Sequence, residues 1–184
     1  VLFRSLLKSA RRPLFICGGG VVIARAEPEL LALAEALGAA VATTVSGQGS
    51  IPETHPLGLG VVGSNGGSVE TREAVEAADL AMFIGCRAGS VTTERWRHPA
   101  PGKAKIVHID VDPATIGVNY RTDAAVAGDA KLALGALVMA VAGHKTGNDP
   151  RAVLASLKAK KRAKFDELAR STEVPIRPER LIAA

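Results

Sequence analysis

The sequence predicts an α/β fold: a three-layer, Rossmann-like domain with a six-stranded, mainly parallel sheet flanked by helices. Short apolar runs of strand length alternate with longer stretches of helical periodicity, the pattern of parallel strands joined by helical crossovers. Apolar residues make up 47% of the chain, mostly Ala, Leu and Val, with one Trp and one Tyr, which suits aliphatic helix-on-sheet packing. A length of 184 residues fits a single domain with one substantial core and leaves no room for a second catalytic domain.

The elements follow in order. Residues 1–12 (VLFRSLLKSARR) read as a connector helix leading into a first strand at 14–17. The stretch EPELLALAEALG, residues 27–38, repeats Leu30, Leu33, Ala34 and Leu37 at helical spacing and stops at Gly38, a residue free to adopt the left-handed conformation that ends helices. Strands at 40–44 and 57–61 come next. Ser68 offers an N-cap to a helix running to Ala78, with Thr71 three residues on, before a strand at 80–84. Further strands are expected at 106–110 and 124–127, then a helix beginning on Asp129 and stopping at Gly143. GHKTGND reads as a linker, followed by a basic helix over 151–170 that STEVPIRPER ends with two prolines. The expected organisation is a connector helix at 1–12, a central domain at 13–143, and a linker and basic helix at 144–184 leading toward a further C-terminal domain.

The net charge of +5 is concentrated in one place. Residues 151–170 hold seven Lys and Arg against two Asp and Glu, so the rest of the chain is neutral. That pattern favours a solvated or partner-facing helix over a nucleic-acid surface, and the scarcity of aromatics argues against base stacking. Cys17 and Cys86 form no CxxC pair and read as buried small hydrophobes in a reducing compartment. No apolar run approaches the roughly 18 residues of a membrane span and no signal pattern opens the chain, so the expectation is a cytoplasmic protein without membrane or nucleic-acid partners.

In a doubly wound sheet, ligands bind beyond the carboxyl ends of the strands. After the first strand comes Gly18-Gly19-Gly20, whose backbone N–H groups a phosphate can approach closely. The dinucleotide fingerprint G-x-G-x-x-G is incomplete, because Ile23 stands where Gly or Ala is required. Its acidic partner about 20 residues on is also missing, with Thr43 and Thr44 at the second strand end and no acid before Glu53, so an ordinary NAD site is disfavoured. Other strand ends carry VVGSNGGS, with Ser64 and Asn65, and IGCRAGS, which places Arg87 and its planar fork near the crevice. The fifth strand ends at Asp110; after the sixth, Asp129 either caps the next helix or accepts a hydrogen bond from an adenine or ribose. The four histidines, His55, His98, His108 and His144, show no paired metal-ligand spacing, and neither a G-x-S-x-G elbow nor a P-loop occurs. No catalytic or metal-binding residue is assigned.

The order of these pieces resembles the central domain of thiamine-diphosphate-dependent enzymes, the acetolactate synthase and oxalyl-CoA decarboxylase group. The resemblance is carried by RPLFICGGGVVIARAEPELLALAEALGAAVATTVSGQGSIPETHPLGLG, then EAADLAMFIGCRAG, then KIVHIDVDPATIGVNYRTDAAVAGDAKLALGAL. It implies two partner domains, one binding the pyrimidine of thiamine diphosphate and one binding its diphosphate through Mg²⁺, and a 2-oxo-acid lyase or acyltransferase activity that this domain does not catalyse alone. It also allows a homo-oligomer. Within the family this domain binds FAD, ADP or nothing. The positions so implied are Gly18, Gly19, Gly20, Thr43, Thr44, Gly63, Ser64, Asn65, Gly85, Arg87, Asp110, Val111, Gly128 and Asp129. Where acetolactate synthases carry GMHG this chain has GSNG, and where they carry GARFDDRVTG it has GCRAGSVTTE, without the aromatic, the acids and the second Arg. The alternative reading is a stand-alone Rossmann-like nucleotide-binding module that senses a nucleotide or transfers electrons.

Overall fold

The computed structural model describes residues 2–144 and 146–184. Val1, in the expected connector helix, and Lys145, in the expected linker, lie outside the described residues. Strands β1 (Pro13–Cys17), β2 (Ala40–Thr43), β3 (Gly58–Val61), β4 (Leu80–Ile84), β5 (Lys105–Asp110) and β6 (Ala124–Ala127) form one sheet in the order β3-β2-β1-β4-β5-β6. Every pair is parallel, so the mainly parallel sheet expected from sequence is wholly so. Around it stand α1 (Leu2–Ser9), α2 (Gly19–Ile23), α3 (Glu27–Leu37), α4 (Val69–Ala77), α5 (Ala130–Ala140), α6 (Arg151–Ala169) and α7 (Pro178–Ala183). The chain winds outward from β1 to β3 and returns to begin its second half at β4, which puts the topological switch point between β1 and β4.

β1 and β4 are buried at every residue, which is why they are apolar throughout rather than alternating. Phe15, Met82, Ile84 and Val107 face one way and meet Leu30, Leu33 and Leu37 of α3 and Leu134 of α5. Leu14, Ile16, Phe83 and Ile106 face the other way and meet Val75 of α4 and Leu154 and Leu157 of α6. The basic helix is thus part of the second layer through its first two turns, while Lys160, Lys161, Lys164 and Arg170 stay exposed. Lys158 also points inward, its Nζ donating to the carbonyls of Glu53 at 3.0 Å and His55 at 2.7 Å. Burial lowers its pKa, against the opposing charge of Glu53.

Local signals set the element ends. Gly38 is left-handed at φ 59° and stops α3. Ser68 and Thr71 close a reciprocal capping box at α4, and Asp129 Oδ1 accepts the Leu132 N–H of α5 at 3.0 Å. β2 ends at Thr43 because Thr44 turns away, its Oγ1 accepting the Gly47 N–H at 3.1 Å over a 3₁₀ turn. α5 ends at Ala140 and residues 141–143 form a turn, short of the expected stop at Gly143.

The strand-end loops meet backbone to backbone. The Gly18 N–H donates to the Ile84 carbonyl at 2.9 Å, the Gly20 N–H to the Gly85 carbonyl at 3.1 Å, and the Thr44 N–H to the Cys17 carbonyl at 2.9 Å. A Cβ on Gly18 would overlap the Gly85 carbonyl oxygen, one on Gly47 would overlap the Cys17 carbonyl oxygen, and one on Gly20 would sit 2.7 Å from the Gly85 Cα. None of these neighbours is the yielding end of a flexible side chain.

Two outcomes are expected. Gly18→Ala should lower unfolding free energy by more than about 2 kcal/mol, whereas Gly89→Ala, which faces open space, should stay within about 0.5 kcal/mol; urea midpoints at unchanged slope measure both. Asp123 bridges the sheet edge, accepting from the Ile106 N–H at 2.9 Å and from Lys105 Nζ at 3.0 Å. Burial pushes its carboxyl up, but these hydrogen bonds and the charges of Lys105 and Arg121 outweigh that and hold it below its ordinary value. Its contribution is therefore complete above the ordinary carboxylate pKa and lost as pH falls through the depressed one, so the Asp123→Asn deficit in urea midpoint should be largest at neutral pH and shrink below about pH 4.

Candidate functional site

A crevice of about 540 Å³ opens at the carboxyl ends of β1, β2 and β4, at the switch point of the sheet. Gly18 and Gly19 form its floor at the start of α2. Thr44, Val45 and Ser46 form one wall, and Gly85 to Arg87 with Gly89 to Thr92 form the other. Asn119 closes the side, its Nδ2 donating to the Arg87 carbonyl at 2.9 Å.

Arg87 is exposed, and among the described residues its guanidinium has no carboxylate partner. Among the described residues it is the one charged side chain of the lining, beside the hydroxyls of Thr44, Ser46, Ser90 and Thr92. That set suits an anion and offers no acid or base. Burial pushes the Cys86 thiol up, and burial followed by the proximity of Cys86 pushes Cys17 up further, so neither is a thiolate at neutral pH. His108 lies behind the wall with its pKa lowered by burial. Its Nε2 is 2.9 Å from the Cys86 carbonyl oxygen, which only accepts, so the neutral ring donates there and fixes the loop. Among the described residues, no three His, Cys, Asp or Glu gather where they could hold a metal ion.

Of the positions drawn from sequence, Gly18, Gly19, Thr44, Gly85 and Arg87 meet in the lining. Gly20 and buried Thr43 stand directly behind it. Gly63, left-handed at φ 93°, backs onto the Val91 carbonyl, to which the Ser64 N–H donates at 2.8 Å; the Ser64 and Asn65 side chains are exposed outside the lining. Asp110, Val111, Gly128 and Asp129 also lie outside it, on the β5–β6 side. Asp110 Oδ1 accepts the Asp112 N–H at 3.0 Å, the Gly128 N–H donates to the Asp110 carbonyl at 2.9 Å, Val111 points to solvent, and Asp129 caps α5. Sequence reasoning missed Ser46, Ser90, Thr92 and Asn119. The small polar run after β4 carried a readable signal for Ser90 and Thr92, whereas Asn119 arrives from 32 residues beyond Arg87 with none.

The wall at 89–92 belongs to a long connection from β4 to β5 that takes no helical form. Within it Glu94, Arg95 and Trp96 adopt successive left-handed φ values of 50°, 61° and 58°, each disfavoured by about 1–2 kcal/mol for a residue with a Cβ. One face of α4 holds this stretch. Arg72 Nε reaches Glu94 Oε1 at 2.6 Å, His98 Nδ1 reaches Glu76 Oε1 at 2.7 Å, and Lys103 Nζ reaches Glu76 Oε2 at 2.9 Å. Burial raises the Glu76 carboxyl, but the hydrogen bonds from Lys103 and His98 prevail and hold it below its ordinary value.

The sequence model of the thiamine pyrophosphate enzyme central domain matches residues 3–137. A probable acetolactate synthase large subunit of Methanocaldococcus jannaschii is 46% identical over 136 residues, covering 74% of this chain and 23% of the relative. One of Methanococcus aeolicus is 44% identical over 129 residues, covering 70% and 21%, and an acetolactate synthase of Mycobacterium bovis is 35% identical over 139 residues, covering 76% and 22%. The chain thus spans less than a quarter of the length of the curated relatives it matches. With the sheet order, the switch-point crevice and this match over most of its length, the chain belongs to the thiamine pyrophosphate enzyme central-domain family.

Proposed function

We propose that the chain is the central domain of a thiamine-diphosphate-dependent 2-oxo-acid lyase or acyltransferase of the acetolactate synthase kind, with a structural role, and that its crevice takes the diphosphate of an adenine nucleotide. The observation that carries the nucleotide reading is the Arg87 fork, without a carboxylate partner among the described residues, set among backbone glycines and hydroxyls at the switch point. Arg87 would grip the diphosphate, Ser90 and Thr92 would donate to its oxygens, and Val45, Val62 and Val91 would supply an apolar surface for a flat ring. ADP and FAD share this diphosphate, and the residues present fit it.

Catalysis in the whole enzyme would rest on partner domains binding the pyrimidine of thiamine diphosphate and, through Mg²⁺, its diphosphate. When bound, that cofactor supplies carbanion stabilisation. Support for a non-catalytic role of this chain lies in and behind its crevice: the Cys86 thiol of the lining and the buried Cys17 thiol are both held protonated, and the His108 imidazole is neutral and engaged with a carbonyl. We read the site of action as the cytoplasm, as for a soluble enzyme in which two buried cysteines stay free. Among the described residues no helix is long and apolar enough to cross a membrane.

Calorimetric titration of the 184-residue chain with ADP and separately with FAD tests the nucleotide reading. Binding in the roughly micromolar range is expected for one of them, with stabilisation of about 2.7 kcal/mol at a hundredfold excess over Kd. Flavin absorbance retained through purification selects FAD. Arg87→Ala should weaken binding by about tenfold or more without moving the urea midpoint. Failure of both nucleotides would remove the ligand from the proposal and leave the structural role of the domain.

A further inference from the structure

We infer that the connection from β4 to β5 is a spring-loaded strap over the crevice, latched shut by one face of α4, and that Arg72 and Glu76 are positioning residues for the wall at 89–92. The two latch residues sit four apart on α4 and so project from the same face. Each takes hold of a different part of the strap: Arg72 takes Glu94, and Glu76 takes both His98 and Lys103. The Arg72 and Lys103 side chains reach toward solvent, 38% and 63% exposed, while their partners are more sheltered. The Glu94 side chain is only 9% exposed, and those of His98 and Glu76 are 27% and 26% exposed.

The strap is strained where it is held. Three consecutive residues with side chains stand in the left-handed region, beginning at the latched Glu94. Such a conformation persists only where its surroundings impose it, and here they do so on both sides. The Val91 carbonyl accepts the Ser64 N–H at 2.8 Å, the Tyr120 hydroxyl donates to the Pro99 carbonyl at 3.0 Å, and the ion pairs hold the segment between them. The wall residues Gly89 to Thr92 are continuous with that strained segment, and the Thr93 and Arg95 N–H groups donate back to the Gly89 and Ser90 carbonyls at 3.1 and 2.7 Å. Releasing the latch would let the turn relax and carry the wall away from Thr44–Ser46, widening the crevice.

The test uses the full chain and no ligand, so its result is separate from that of the nucleotide titration. Trp96 is the chain's one Trp and lies within the strained turn, 42% exposed, where its fluorescence reports on the strap. In an Arg72→Ala/Glu76→Ala variant, amide exchange over 89–98 should quicken by about tenfold or more and acrylamide quenching of Trp96 should rise, while amides of β1 and β4 keep their protection. Arg95→Gly, which removes the Cβ at a left-handed residue, should slow exchange over the same stretch. Unchanged exchange over 89–98 in the double variant, or acceleration shared equally by β1 and β4, would overturn the inference. If the double variant does not fold, Arg95→Gly decides: slower local exchange supports a stored strain, and unchanged or faster exchange refutes it.

Discussion

The contact on which the rest of the structure depends is the approach of three backbones at the switch point, where the turns after β1, β2 and β4 touch with no side chain between them. Gly18 and Gly20 press against Gly85, and Gly47 presses against Cys17. A parallel sheet fixes its strands about 4.8 Å apart, so loops leaving adjacent strand ends collide unless they shed their side chains or diverge. This chain does both. α2 turns to one face of the sheet, the β4 connection crosses toward the other, and the space left between them is the crevice.

That contact changes the meaning of the glycine run. Three successive glycines after a strand suggest N–H groups waiting for a phosphate, yet the Gly18 and Gly20 N–H groups are already taken by the carbonyls of Ile84 and Gly85. The glycines make the cradle by letting the loops close, and the anion-binding character of the site comes from Arg87 and the hydroxyls around it. The glycine run thus supplies the floor of the crevice, and the wall after β4 supplies the charge. Neither has meaning as a site without the other.

Much of the fold was legible because its signals are local. Strands β1 and β4 are apolar throughout, α3 shows its stripe and its Gly38 stop, and α4 and α5 begin on caps that hydrogen-bond within three residues. The site was only partly legible. Gly18, Thr44, Gly85 and Arg87 follow strands closely and could be placed by counting, whereas Asp110, the last residue of β5, and Asp129, just after β6, stand at strand ends equally well but turn their carboxylates to nearby backbone N–H groups. Nothing in the sequence separates these two uses of a strand end. The left-handed turn at Glu94, Arg95 and Trp96 was beyond reach for a stronger reason: residues with side chains disfavour that conformation, and it is imposed by partners on α4 about 20 residues away. The packing of α6 was hidden likewise, since its dense positive charge masks the two leucines that join the second core.

Lys158 shows what that packing asks of the chain in time. Its ammonium holds the carbonyls of Glu53 and His55 from 105 and 103 residues away, and Leu154 and Leu157 beside it cover the second face of the sheet. Contacts of such long range form late, because the loop they close must be ordered first. During synthesis on the ribosome the part of the Leu14, Ile16 and Phe83 face that Val75 of α4 leaves uncovered therefore stays open until the basic helix emerges. The positive charge that makes the helix look peripheral would keep it solvated while it finds its place.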